Sequence, residues 1–153
     1  MKKAFLTPIL AIAAIATPAN AGWGFTEWGM SPTAVVAASN GKASASSGTP
    51  GDALENSSLT VRVTGREEFG SRSFRSIYYF DGDQLKLIKL TISPERGCGL
   101  LWNDIRSTYG KPTSETRNQA LRQANWDISA SNARLTLLDL GGRSCRMSVA
   151  PLS

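Results

Sequence analysis

The sequence predicts an α+β domain in which two short helices pack on one face of an antiparallel sheet, in the order αβββ-αβββ. Three observations carry that expectation. Residues 93–112, SPERGCGLLWNDIRSTYGKP, place Cys98, Leu101, Trp102, Ile105 and Tyr109 on one face of a 3.6-residue helix. Runs of period-two alternation lie on both sides of that stretch, and Asp81-Gly82-Asp83 between two of them is a hairpin signal. Two halves, 30–92 and 93–152, each open near a Ser-Pro pair and carry a Gly-Lys pair close to the helix, which makes an internal duplication a candidate.

The chain begins with a targeting pattern. Lys2 and Lys3 precede an apolar run at 4–16, and Ala19-Asn20-Ala21 has the small-x-small form read by signal peptidase. Cleavage after Ala21 would leave residues 22–153 as one secreted domain in the periplasm or outside the cell, without a transmembrane segment, since the apolar run is short and holds Pro8. Without Lys2 and Lys3 the 17 basic residues fall to 15 against 12 acidic ones. That mild excess is ordinary surface composition, and it also allows attraction to anionic material.

Residues 22–29, GWGFTEWG, lead into the first helix, expected over 32–39: Ser31 caps it, Pro32 suits its first position, Val35 and Val36 begin an apolar face, and Asn40-Gly41 stops it. Residues 42–58, KASASSGTPGDALENSS, are poor in bulky apolar side chains and read as a mobile excursion. Leu59, Val61 and Val63 alternate with polar residues as a strand, and 74–80 and 85–92 form the hairpin arms. In the second arm the apolar face changes between Leu87 and Ile88, which predicts either a bulge or a strand buried on both sides. In the central helix Ser93 is the expected cap, Pro94 its first residue, and Gly110 with Pro112 its stop. After it, 113–123 leans to strand, 125–129 and 134–140 are strand candidates, Gly141-Gly142 is a turn, and 143–150 forms the last strand with Cys145, Met147 and Val149 on one side.

Two cysteines in an oxidising compartment predict a structural disulfide, Cys98 to Cys145, worth about 4 kcal/mol by chain entropy; two separate thiols are the alternative. Enzymes are disfavoured. The chain has no histidine, which removes Ser-His-Asp and Cys-His catalysis and His-Cys zinc sites. The Asp81/Asp83 and Glu67/Glu68 pairs are explained by turn and strand chemistry, so no catalytic residue, metal or cofactor is assigned. Arg62, Arg72, Arg75, Lys86 and Lys89 all fall in the first strand group and are candidate contacts for an anionic partner, with solubilising charge as the plainer reading. Trp23 and Trp28 are candidate interface aromatics or terminal core residues.

Gly29-Met30-Ser31-Pro32 followed by Val35, Phe80-Asp81-Gly82-Asp83-Gln84-Leu85, and Tyr109-Gly110-Lys111-Pro112 resemble the helix opening, the strand-turn-strand and the helix ending of the BamE (SmpA/OmlA) family of envelope proteins. A tandem of such units is similar to the β-lactamase inhibitor protein. The chain departs from the first family in lacking a lipidation cysteine after the cleavage site, in ending its first helix on Asn-Gly, and in its long polar insertion. The resemblance implies a noncatalytic protein-binding or envelope-assembly module. The alternative is a binder of lipid head groups or polysaccharide, with no role for nucleic acid.

Overall fold

The computed structural model describes residues 22–92, 98–142 and 144–153. The expected signal segment, the Ser93 cap and Pro94 lie outside the described residues. Helix α1 spans Pro32–Ala38, and strands β1 to β4 span Ala43–Ala45, Thr60–Phe69, Arg72–Asp81 and Gln84–Ile92. Helix α2 spans Cys98–Tyr109, followed by β5 (Ser114–Arg117), β6 (Arg122–Ile128), β7 (Ala133–Asp139) and β8 (Cys145–Pro151). All eight strands join one antiparallel sheet in the order β1-β2-β3-β4-β8-β7-β6-β5.

This corrects the expected fold class. The molecule is strand-dominated, with four strands after each helix, and is not a two-helix α+β domain of order αβββ-αβββ. Of the strands beyond that order, β1 falls in the segment expected as a mobile excursion, while β5 falls within 113–123, where the sequence leans to strand. Ala43 pairs with Gly65, and a side chain at Gly65 would put its Cβ 2.7 Å from the Ala43 Cβ and from the Lys42 carbonyl oxygen. Only small residues let that edge strand approach, so a segment without bulky side chains is what pairs there. β5 is fully exposed and pairs with β6 through polar residues, giving no apolar alternation to read.

Elsewhere local chemistry forms the expected elements. The Ser31 side chain accepts the Ala34 amide at 3.2 Å at the start of α1. β3 and β4 turn through Gly82-Asp83, and the bulge falls at Lys86, which lets Leu85 and Ile88 both point inward. Of the helical stripe, Cys98, Leu101, Trp102 and Ile105 are buried and Tyr109 packs at its end. Trp102 meets Trp126 of β6 edge-on at 5.4 Å. Each fully buried large apolar side chain of this kind contributes about 1.5–3 kcal/mol.

Val35 and the α2 stripe share one core with Val63, Phe74, Tyr78, Phe80, Leu90, Trp126, Leu135, Leu137, Met147 and Val149, the inward set of alternate strand positions. That side of the sheet is the helix face. The intervening strand positions point to the opposite side, the second face.

Candidate functional site

The second face is built differently in the two halves of the sheet. Over β2 and β3 it is roofed by the segment that the sequence predicts as a mobile excursion. Thr49 opens a single helical turn at Pro50–Asp52, with the Asp52 carboxylate accepting both the Thr49 amide (2.7 Å) and the Thr49 hydroxyl (2.9 Å). The turn is clamped to the sheet by Arg75, whose guanidinium reaches both carboxylate oxygens at 2.8 and 2.7 Å. Such a fork-to-fork pair has directional strength that a single contact lacks. Tyr79 donates its hydroxyl to the Asp52 carbonyl at 2.7 Å. The Arg75 guanidinium, outweighing the opposing effect of burial and helped by the Thr49 bonds, holds the Asp52 carboxyl well below its usual range.

Two concavities flank this clamp. One, of about 900 Å³, runs along β1 and the ends of β2 and β3, with Lys42, Ser44, Thr64, Arg66 and Ser73 on its walls. The other, of about 250 Å³, lies between the Pro50–Asp52 turn and the paired strands β4 and β8, with Tyr79, Lys89, Thr91, Ser144 and Arg146 around it. Beyond it, β6, β7 and β8 present Asn125, Thr136, Leu138 and Ser148, which no described element covers.

The sequence-predicted residues divide between the faces. Arg75 and Lys89 stand on the second face, Arg75 tied to Asp52 and the Lys89 ammonium 5.4 Å from the Tyr79 ring centroid. Burial, then the charge of Arg146, pulls the Lys89 pKa down. Arg62 makes an exposed pair with Asp83 at 3.2 Å, Arg72 lies near α2 against Asp104 at 3.3 Å, and Lys86 sits at the bulge. The five basic residues therefore form no single patch. Trp23 and Trp28 are core residues: Trp23 lies 6.1 Å from both Phe69 and Tyr109, and the Trp28 indole donates to the Ser131 carbonyl at 3.3 Å. The sequence reading missed Asp52, Arg146 and Ser144. For Asp52 a signal existed in Thr49-Pro50-Gly51-Asp52, a Thr-x-x-acid cap with proline at the first position.

Cys98 and Cys145 are free thiols in the structure, both buried and not at disulfide distance, so the expected bond is not formed there. Burial first, then the hydrogen bond with the Cys98 thiol, pushes Cys145 up to about 12, and burial likewise raises Cys98. Thiol exchange needs thiolate, which this environment suppresses. Alkylation at pH 8 is expected to label both only after unfolding. No label in either state would instead show the bond formed.

On the helix face, Glu67 is buried and accepts the Tyr78 hydroxyl at 2.8 Å. Gly24 lies against it with φ +61, where a Cβ would come within 3.2 Å of both carboxylate oxygens. Burial, only partly offset by the Tyr78 bond and the charge of Lys42, pushes the Glu67 carboxyl up. It is enclosed by protein rather than facing a cleft, which suits a structural carboxylate better than an acid catalyst. Among the described residues no group of three or more His, Cys, Asp or Glu is placed to hold a metal ion. No described helix is long and apolar enough to cross a membrane.

No family model, curated protein or solved structure matches this chain.

Proposed function

We propose that the chain is a noncatalytic protein-binding module of the bacterial envelope, exported to the periplasm or beyond, and that its partner docks on the second face of the sheet. The observation that supports this reading is the bare half of that face. A surface of β-strand side chains on β6, β7 and β8, mostly polar and half-buried with Leu138 among them, has no cover from the described chain. The signal-like start and the short motifs that resemble those of the BamE family suggest the same class of protein.

The test is site-specific cross-linking. A photo-reactive side chain at Thr136, on the bare face, is expected to give one dominant adduct with an envelope protein, while the same group at Asp104, on α2, gives none. Equal adducts from both positions, or none from Thr136, would sink the proposal.

A second reading is favoured by one observation. Lys42, Arg66, Lys89 and Arg146 line the two concavities and pair with no carboxylate among the described residues. They suit anionic lipid head groups or polysaccharide. Binding of that kind weakens as salt is raised, and binding indifferent to ionic strength excludes it.

A further inference from the structure

We propose that the concavity between the Pro50–Asp52 turn and the paired strands β4 and β8 is a binding site for a phosphate group. The inference concerns this cleft alone and stands whether or not the same face also docks a protein.

Strand register brings its two cations together. Lys89 is opposite Ser148 and Thr91 is opposite Arg146, so Lys89 and Arg146 are diagonal neighbours on adjacent strands, roughly 7–8 Å apart at the backbone. Placing two like charges there costs energy unless something lies between them. No carboxylate of the described chain does so. The one acid in the lining is Asp52, and its oxygens are already taken by the Arg75 guanidinium, the Thr49 amide and the Thr49 hydroxyl. Asp52 and Arg75 therefore cancel, and the lining keeps the two charges of Lys89 and Arg146.

A dianion balances two cations, whereas one carboxylate balances half of that charge. A phosphate monoester is close to a dianion at pH 7 and carries three acceptor oxygens. The cleft offers donors in matching number: the Lys89 ammonium, the Arg146 guanidinium, and the hydroxyls of Thr91 and Ser144, neither of which makes a hydrogen bond within the described structure. Its volume of about 250 Å³ admits such a group without moving the Pro50–Asp52 turn. The partial desolvation of Lys89, seen in its lowered pKa, is the condition under which an added anion gains most.

The experiment is an amide-resolved NMR titration with inorganic phosphate, against sodium chloride at matched ionic strength. Saturable shifts centred on Lys89, Thr91, Ser144 and Arg146 are expected with phosphate alone. Lys89→Met and Arg146→Met should each weaken phosphate at least tenfold while leaving the rest of the amide spectrum, and so the fold, unchanged. Identical responses to phosphate and chloride would overturn the proposal, and so would undiminished phosphate binding by the double variant. Vesicles containing phosphatidic acid identify the source of the group. Vesicle binding that is lost in Arg146→Met places the phosphate on a lipid, and phosphate binding without vesicle binding places it on a soluble ester.

Discussion

β3 and β7 hold the same place in the two halves of the sheet, each third in its run of four strands and each next to a central strand, yet their second faces are opposites. β3 presents Arg75, Ile77 and Tyr79, with Ile77 3% and Tyr79 0% exposed. β7 presents exposed Arg134 with half-buried Thr136 and Leu138. The difference lies in one connection. β1 and β2 are separated by residues 46–59, which fold back over β3, whereas β5 and β6 are joined by a short turn at 118–121. Side chains follow their cover: apolar and tightly bonded under the roof, polar where nothing lies above. A protein-binding surface is therefore sought on the half that kept its polar side chains without a roof.

The largest expected break in that comparison is Tyr79→Ala, which empties a fully buried site and removes the bond to the Asp52 carbonyl. A loss of about 3–5 kcal/mol in urea unfolding is expected. Its counterpart, Thr136→Ala, should cost only about 0.5–1.5 kcal/mol, the loss of its hydroxyl's bond to the Asn125 amide oxygen at 2.8 Å. Similar costs at both positions would show that the second half is covered after all.

Arg75→Met comes next. It strands a buried carboxylate that now has a two-pronged partner, so a loss of about 2 kcal/mol is expected, at the low end for a buried pair because Arg75 is 41% exposed. Hydrogen exchange should accelerate at the Asp52 and Ala53 amides and not at the amides of β7. The pair also has an acid signature. Since the folded Asp52 pKa is depressed, its stabilisation is present above the ordinary value of 3.8 and is lost as pH falls below it toward the folded value. Arg75→Met should remove much of that acid limb, and an unchanged limb would assign it to other carboxylates.

Much of the helix face was legible from sequence because burial there coincides with periodicity, as at Leu101, Trp102 and Ile105, and because Gly82 and Gly141-Gly142 mark turns by their own backbone freedom. The roof was not. Residues 42–58 bury little apolar area, and they stay in place through Asp52, whose partner Arg75 lies 23 residues away. A pairing of that separation leaves no local pattern. One trace of it was present in Ile77-Tyr78-Tyr79-Phe80, an unbroken apolar run where a half-exposed strand would alternate, which is the mark of a strand covered on both sides. The anion cleft was equally silent, since Lys89 and Arg146 become neighbours only when β4 pairs with β8.

The halves also differ on the helix face. β2 buries the Glu67 carboxyl, where β6 buries Ala124 and Trp126. Because burial raises the folded Glu67 pKa above its ordinary value of 4.5, the sign is the reverse of Asp52: the protein gains from this site below pH 4.5 and loses that gain as pH rises through the folded pKa, by at most about 1.4 kcal/mol per pH unit. Glu67→Gln keeps an acceptor for Tyr78 and should flatten the dependence. Retention of the full slope would place its origin elsewhere.

The smallest effect is expected at the far edge. Glu115 of β5 pairs with Arg122 at 2.8 Å, with side chains 35% and 26% exposed, so Glu115→Gln should cost only about 0.2–1 kcal/mol. Arg122 is the more telling partner. Its guanidinium carbon lies 3.2 Å from the centre of the Trp102 ring, so Arg122→Met removes a stacked cation from the core's lid as well as the ion pair. A double-mutant cycle separates the two contributions. A cost for Arg122→Met that exceeds Glu115→Gln and persists in the Glu115→Gln background would show that stacking on Trp102, rather than the ion pair, holds β5 and β6 against α2. Equal costs that vanish together in the double variant would leave that edge to the ion pair alone.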